Sequence, residues 1–405
     1  MFENIIGHGE VIGALRADLA QGRFPPSSLF YGPAYCGKLS TALETARVLT
    51  CAKGKGDWSC ECGPCRLQKD LTHPQTVLIG ARYSDVEIAA SADALMRSRK
   101  PASRYLLVRA VRKLTRRFDP SIADSDDTRV KGMLGRVAQL EELLGDLAPD
   151  SELPPPGELG SLLEKIAAAA APVAAQARGD MISVGQVRKL AAWTHLTAGE
   201  SRKIAIVENA DRMQDSARNA LLKLLEEPPA SVHLILVSTR RAAIIPTILS
   251  RLRPYSFAAR SPEEEKEVML KIFRRESADF AGLRGYFLAW REINPEKLTQ
   301  LARRFMELVQ ASDDPGVDIV EEMAELLSDR SPRRGRSSRE TVSSFLEELA
   351  AHMRELFRSS GAAAEALQQW NEAAREASAR IESLNMAPAA VLEALFYRLR
   401  AGAAA

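Results

Sequence analysis

The sequence predicts an α/β protein: a parallel sheet covered by helices on both faces, continued by helices alone. Three observations predict it. Short apolar runs bounded by turn residues, at 28–31, 76–79, 203–208 and 233–239, alternate with stretches of helical periodicity, the pattern of buried parallel strands. The first run leads into Gly32-Pro-Ala-Tyr-Cys-Gly37-Lys38-Leu39-Ser40, the frame of a phosphate-binding loop between strand and helix. Beyond Ala258 the apolar residues recur only at helical spacing.

The first element is an amphipathic helix with Val11, Leu15 and Leu19 on one face, ended by Gly22 and Pro25-Pro26. Strand, loop and helix follow, the helix running to about Leu49. Gly32 and Gly37 let backbone N–H groups turn inward, Lys38 would reach terminal phosphates, and the helix N-terminus favours an anion. The motif ends in a hydroxyl that binds Mg²⁺, and Leu39 has none; Ser40 is one residue late, about 100° further round the helix.

Four of the five cysteines lie within fifteen residues: Cys51, Cys60, Cys62 and Cys65. Such clustering predicts a structural Zn²⁺ held by four thiolates, with Gly63-Pro64 forming the knuckle. The one-residue gap between Cys60 and Cys62 is tighter than usual, and Cys62-Gly-Pro-Cys65 also spells a redox pair, a reading its neighbours disfavour. His73 is expected to be a capping or surface residue rather than a fifth ligand.

Residues from about 84 to 180 differ in composition and read as a helical insertion. Arg97, Arg99, Lys100, Arg104, Arg109, Arg112, Lys113, Arg116 and Arg117 flank an apolar stripe of Leu106, Leu107, Val111, Leu114 and Phe118. They could touch DNA phosphates or form a solvated face paired with Asp119, Asp124, Asp126 and Asp127. A second amphipathic helix, a Pro154-Pro155-Pro156 break and an alanine-rich helix complete the insertion.

The α/β pattern then resumes. Ile182-Ser-Val leads into a helix from about Gly185 to Thr194; strand 203–208 ends in Glu208-Asn209-Ala210-Asp211; a helix from about Gln214 to Leu225 ends at Glu226-Glu227-Pro228-Pro229. Strand 233–239 ends at Thr239, and 254–257 is a last short strand. The loop, Asp211 and Thr239 all follow strand ends, where ligands of open parallel sheets bind. Ser261-Pro-Glu-Glu-Glu opens the helical region with a serine cap, Pro at the first position and acids in the first turn. Stripes such as Val342, Phe345, Leu346, Leu349 and Met353 read as the core of a bundle, and 330–339 as a basic linker.

At 405 residues, 46% hydrophobic and 27% charged, with a formal net charge of +2, the composition is globular. The balance supplies no global drive towards nucleic acid. No signal peptide or membrane span is visible, so the expected location is the cytoplasm.

Four stretches together resemble the bacterial clamp-loader subunits of the AAA+ superfamily, with the delta-prime type of DNA polymerase III nearest. They are Gly32–Ser40 with its cysteine module, Val207-Glu-Asn-Ala-Asp-Arg-Met213, Asn219-Ala-Leu-Leu-Lys-Leu-Leu-Glu-Glu-Pro-Pro229, and Ile248-Leu-Ser-Arg-Leu252, where Leu252 replaces the cysteine of a Ser-Arg-Cys motif. The resemblance covers about 1–80 and 181–258 well and the C-terminal helices weakly, mainly through Leu384-Asn385 and the final helix; it does not extend to the insertion.

It implies an AAA+ P-loop domain over 1–258, containing the zinc module 51–65 and the insertion, a helical lid over 259–310 and a helical collar over 311–405. The collar would join five subunits in a ring that loads the sliding clamp on primed DNA, with gamma/tau and delta subunits as partners and no membrane. Arg251 takes the place of the arginine finger, which acts on a neighbour's ATP. Gly32, Gly37, Lys38, Ser40, Glu208 and Thr239 are the degenerate nucleotide-binding set. The family's Asp-Glu pair is here Glu208-Asn209, so together with Leu39 no ATP hydrolysis is expected, and binding of ATP or Mg²⁺ is left open. The alternatives are an active gamma/tau-type ATPase and, further off, a P-loop nucleotide kinase.

Overall fold

The protein is represented by a computed structural model that describes residues 1–80, 84–123, 128–148, 151–177, 181–196, 202–276, 280, 282–290, 295–311, 323, 338–360, 364–382 and 386–403. The chain forms two compact units, Met1–Phe287 and Leu288–Ala405.

The first unit is built on five parallel strands: β1 (Ser27–Tyr31), β2 (Thr76–Ile79), β3 (Lys203–Glu208), β4 (Val232–Ser238) and β5 (Arg253–Ser256). Their order across the sheet is β2-β3-β4-β1-β5. Alternation along β3 sorts its side chains between two cores. Ala205 and Val207 pack with Leu234, Leu236, Val187, Leu190, Leu221 and Leu224, on the side of α8 (Val184–His195) and α9 (Asp215–Glu226). Ile204 and Ile206 pack with Phe30, Ile235, Val11, Leu15, Ala42 and Leu43, on the side of α1 (Gly9–Ala20) and α2 (Lys38–Leu49). Both faces are therefore apolar, which is why these strands read as continuous hydrophobic runs. Together with the helical unit below, this is the α/β domain with appended helices expected from the sequence.

A short helix, α3 (Gly63–Lys69), carries the end of the cysteine module. The insertion contains α4 (Ser84–Ser98), α5 (Pro101–Thr115), α6 (Thr128–Gly145) and α7 (Pro156–Ala177) around its own core, including Leu107, Val111, Leu114, Leu140, Leu159 and Val173. Its ends sit on one segment of the sheet. It leaves through Gly80, whose φ is 110° and where an added Cβ would lie 2.0 Å from the Glu208 carbonyl oxygen. It returns through Ile182, which bridges Met213 and accepts from the Gln214 amide at 3.2 Å. α8 then starts with a capping box between Ser183 and Gln186.

A four-residue helix, α10 (Pro246–Leu249), precedes β5. α11 (Pro262–Lys271) begins as its sequence predicts, with Ser261 and Glu264 forming a capping box; α12 (Gly282–Trp290) follows. In the second unit α13 (Pro295–Gln310) shares a core with the helices Ser338–Ser360, Ala364–Glu382 and Pro388–Ala403 through Ala302, Phe305, Phe345, Leu349 and Phe396. The compact units divide between residues 287 and 288, and the apolar face of α13 is buried among the C-terminal helices. Leu384-Asn385, Asp124, Asp126, Asp127 and the basic linker up to 337 lie outside the described residues. No helix among the described residues is long and apolar enough to cross a membrane.

Candidate phosphate loop and cysteine site

The loop after β1 turns back with Gly32 at φ 151°, Tyr35 at φ 59° and Gly37 at φ 88°. Gly32 is obligatory, because a Cβ there would lie 2.1 Å from the Phe257 carbonyl oxygen. Lys38 bends over its own loop. Its ammonium is buried and donates to the carbonyls of Gly32, at 2.8 Å, and Pro33, with Cys36 Sγ 3.3 Å away. Burial holds its pKa below the ordinary lysine value, against the opposing pull of Cys36, Glu208 and Asp211. Leu39 is 7% exposed and part of the core beneath α2. Its side chain contributes to packing where the motif would hold a metal. Ser40 is exposed, as its angular offset requires.

The strand ends converge as expected. The Gly32 amide donates to the Ser238 carbonyl at 3.3 Å. Ser238 Oγ donates to Asp211 Oδ1 at 2.7 Å, and Arg240 Nε pairs with Asp211 Oδ2 at 3.0 Å. Ser238 therefore makes the contact to the second motif, whereas Thr239, one residue on, is exposed. Glu208 is buried and paired with Arg117 of the insertion at 2.5 Å. Asn209 stands at φ 52° in the left-handed region. Arg260 reaches back over the loop to the carbonyls of Ile6 and, at 3.4 Å, Tyr35. Mg²⁺ does not fit this arrangement: Leu39 offers no oxygen, and both acids are already held by arginines.

Sequence reasoning did not single out Arg117 or Arg260 for this site. Arg117 was one cation in a run of nine, and nothing in the spacing distinguished it. The run itself is mostly consumed internally, by backbone carbonyls. Arg104 donates to Ala148 and Ser151, Arg109 to Gln68 and Lys69, Arg112 to Asp70, and Arg116 to His73 and Thr76. Lys113 pairs with Glu87, and Arg116 with Asp119 at 2.9 Å. Most of this face is an internal strut, while Arg97 and Lys100 are exposed.

The four cysteines do come together. Their sulfurs all lie within 4.8 Å of one another, and Cys51 and Cys60 are 3.8 Å apart. Tetrahedral coordination at Zn–S of about 2.3 Å spaces sulfurs by about 3.8 Å, so the cluster can hold a metal ion. Cys62 caps α3 and Cys65 lies in its first turn. Burial raises the Cys62 thiol, but the Cys65 and Ala52 amides outweigh it and bring its pKa to about 6; burial pushes Cys65 up. Arg47, 1% exposed, locks the module to α2. It pairs with Glu44 at 2.5 Å and donates to Gly56 O, Asp57 O and Cys65 Sγ. His73 is buried, and its Nδ1 accepts from the Gln75 amide at 3.2 Å; it caps, as expected, but from the interior.

Arg251 stands elsewhere. It lies just before β5, at the amino ends of the strands, whereas the phosphate loop follows the carboxyl end of the neighbouring parallel strand β1. Its guanidinium donates to Thr247 O at 2.8 Å and pairs with Glu226 at 2.8 Å; its side chain is 35% exposed.

Comparison with known proteins agrees with the motifs. Residues 163–261 match the family described as DNA polymerase III, delta subunit. The match begins inside α7, so it reaches into the insertion, and it leaves 1–80 outside. The DNA polymerase III subunit delta' of Pseudomonas aeruginosa is 44% identical over 71 residues, 17% of this chain and 22% of the relative. That of Haemophilus influenzae is 34% identical over 88 residues, 22% and 26% respectively. The subunit gamma/tau of Mycobacterium tuberculosis is 32% identical over 74 residues, 18% and 13%. The alignments span about a quarter or less of these relatives. Over the matched segments the chain resembles delta-prime-type DNA polymerase III subunits.

Proposed function

We propose that the chain is a delta-prime-type clamp-loader subunit of DNA polymerase III, a ring member that does not hydrolyse ATP and presents Arg251 to a neighbour's nucleotide. The observation that carries this reading is the separation of Arg251 from the chain's own phosphate loop, at opposite ends of the parallel strands. An arginine so placed is remote from the chain's own phosphate loop, and a rigid, permanently charged fork suits a neighbour's γ-phosphate. Its pairing with Glu226 is half exposed, and such pairs contribute about 0–1 kcal/mol, so little opposes its transfer to a stronger anion. Leu39 in the core and Asn209 in place of an acid support the absence of hydrolysis, since positioning and electrostatic groups each supply several kcal/mol to such reactions. The gamma/tau reading would need both.

In this reading the cysteine cluster holds a structural Zn²⁺, the ring contains gamma/tau- and delta-type partners, the sliding clamp and primed DNA are met through the assembly, and the location is cytoplasmic. The three-part division into AAA+ domain, lid and collar belongs to the same proposal. The test is ATP turnover by a loader reconstituted with Arg251→Ala. Turnover should fall while the chain's melting temperature stays unchanged; full turnover with the variant incorporated would refute the finger.

A further inference from the structure

The second motif and the insertion are joined at three points. Gly80 leaves the sheet against the backbone of Glu208, Ile182 rejoins it against Met213, and between them Arg117 reaches Glu208 from 91 residues away in sequence. Arg117 is itself fixed: its Nε donates to the Lys113 carbonyl at 3.0 Å, and its side chain is 5% exposed. Glu208 ends β3 beside the phosphate loop, close enough for its charge to be felt by Lys38.

We propose that the insertion is an internal occupant of the phosphate site, its Arg117 holding the position at Glu208 that a divalent cation would need. A carboxylate at the end of that strand is useful to a nucleotide site because it draws in a metal. Here a guanidinium neutralises the same carboxylate, in a buried setting where a second cation would meet strong repulsion. The loop side is closed in a matching way, with the Lys38 ammonium bound to loop carbonyls. The insertion thus keeps the site free of metal, and displacement of the turn after α5, residues 116–118, would release Glu208. This rests on reading Gly32–Ser40 as a phosphate loop, and is independent of the role given to Arg251.

The experiment is a titration of the full chain, zinc-loaded, with Mn²⁺ alone, the free ion being followed by electron paramagnetic resonance. Wild type should retain no Mn²⁺ through Glu208. Arg117→Gln should bind one ion at least about tenfold more tightly than wild type, since one nearby positive charge is removed. Adding Glu208→Gln to that variant should abolish the gain. A folded Arg117→Gln chain with no gain would overturn the proposal, as would a gain that survives Glu208→Gln. If Arg117→Gln does not fold, Arg117→Met takes its place in the same titration, with the same outcomes for and against. Mn²⁺ bound by wild type and lost in Glu208→Gln refutes the plug. Failure of the loader reading would appear only in the Arg251→Ala assay.

Discussion

Glycine positions show most directly how this backbone constrains its residues. Gly80 is held at φ 110°, with the Glu208 carbonyl oxygen where a side chain would begin. Gly80→Ala should therefore cost at least about 2 kcal/mol, from the positive φ and the clash together, seen as a lower urea midpoint. Gly63, which meets nothing within 4 Å, should tolerate alanine. Buried and half-buried imidazoles make stability fall in mild acid. Burial lowers the pKa of His8, His73 and His233 below 6.5, and Arg260 and Arg116 add to the effect at His8 and His73. The unfolded chain then binds more protons than the folded one as pH falls through 6.5, so stability present above that pH is lost below it. Urea midpoints at pH 8 and pH 5.5 should differ in that sense, and His73→Gln should shrink the difference. At this scale the sequence was partly legible. Gly32 and Leu39 announced themselves through the motif, while the burial of His73 and the destination of Arg117 depend on contacts more than 40 residues distant.

Among the elements, α5 departs furthest from its sequence reading. A helix rich in arginine resembles a phosphate-binding face, because composition does not reveal what the cations meet. Backbone carbonyls at the end of α3 and around β2 are the partners here, and no side-chain pattern marks a carbonyl. Arg109→Met should cost about 1–3 kcal/mol, since it strips charge-assisted bonds from the Gln68 and Lys69 carbonyls, with a fall in melting temperature as the readout. By contrast the cysteine module was legible, because metal ligation imposes spacing on the sequence itself. Metal analysis should find about one zinc per chain. Chelation should loosen the Arg47 lock as well as the cysteines, so that 51–70 becomes protease-sensitive before the rest of the first unit. Strands β1 to β4 were legible for a different reason: both faces of the sheet are covered, which leaves uninterrupted apolar runs.

For the whole molecule, the division between 287 and 288 was not legible, since an apolar stripe such as that on α13 does not say which helices will cover it. The sheet order has a consequence for the time course of synthesis. Strand β1 lies between β4 and β5, pairing Ser27 with Leu234 and Ser28 with Arg253. Its partners therefore leave the ribosome more than 200 residues after it does. The cysteine module and the insertion, built largely from neighbouring helices, need not wait, and local contacts form ahead of distant ones. Chains truncated at residue 200 should accordingly protect 101–115 and 156–177 from protease while 27–31 stays open to it. The phosphate loop would then take shape last, around a helical body already folded beside it.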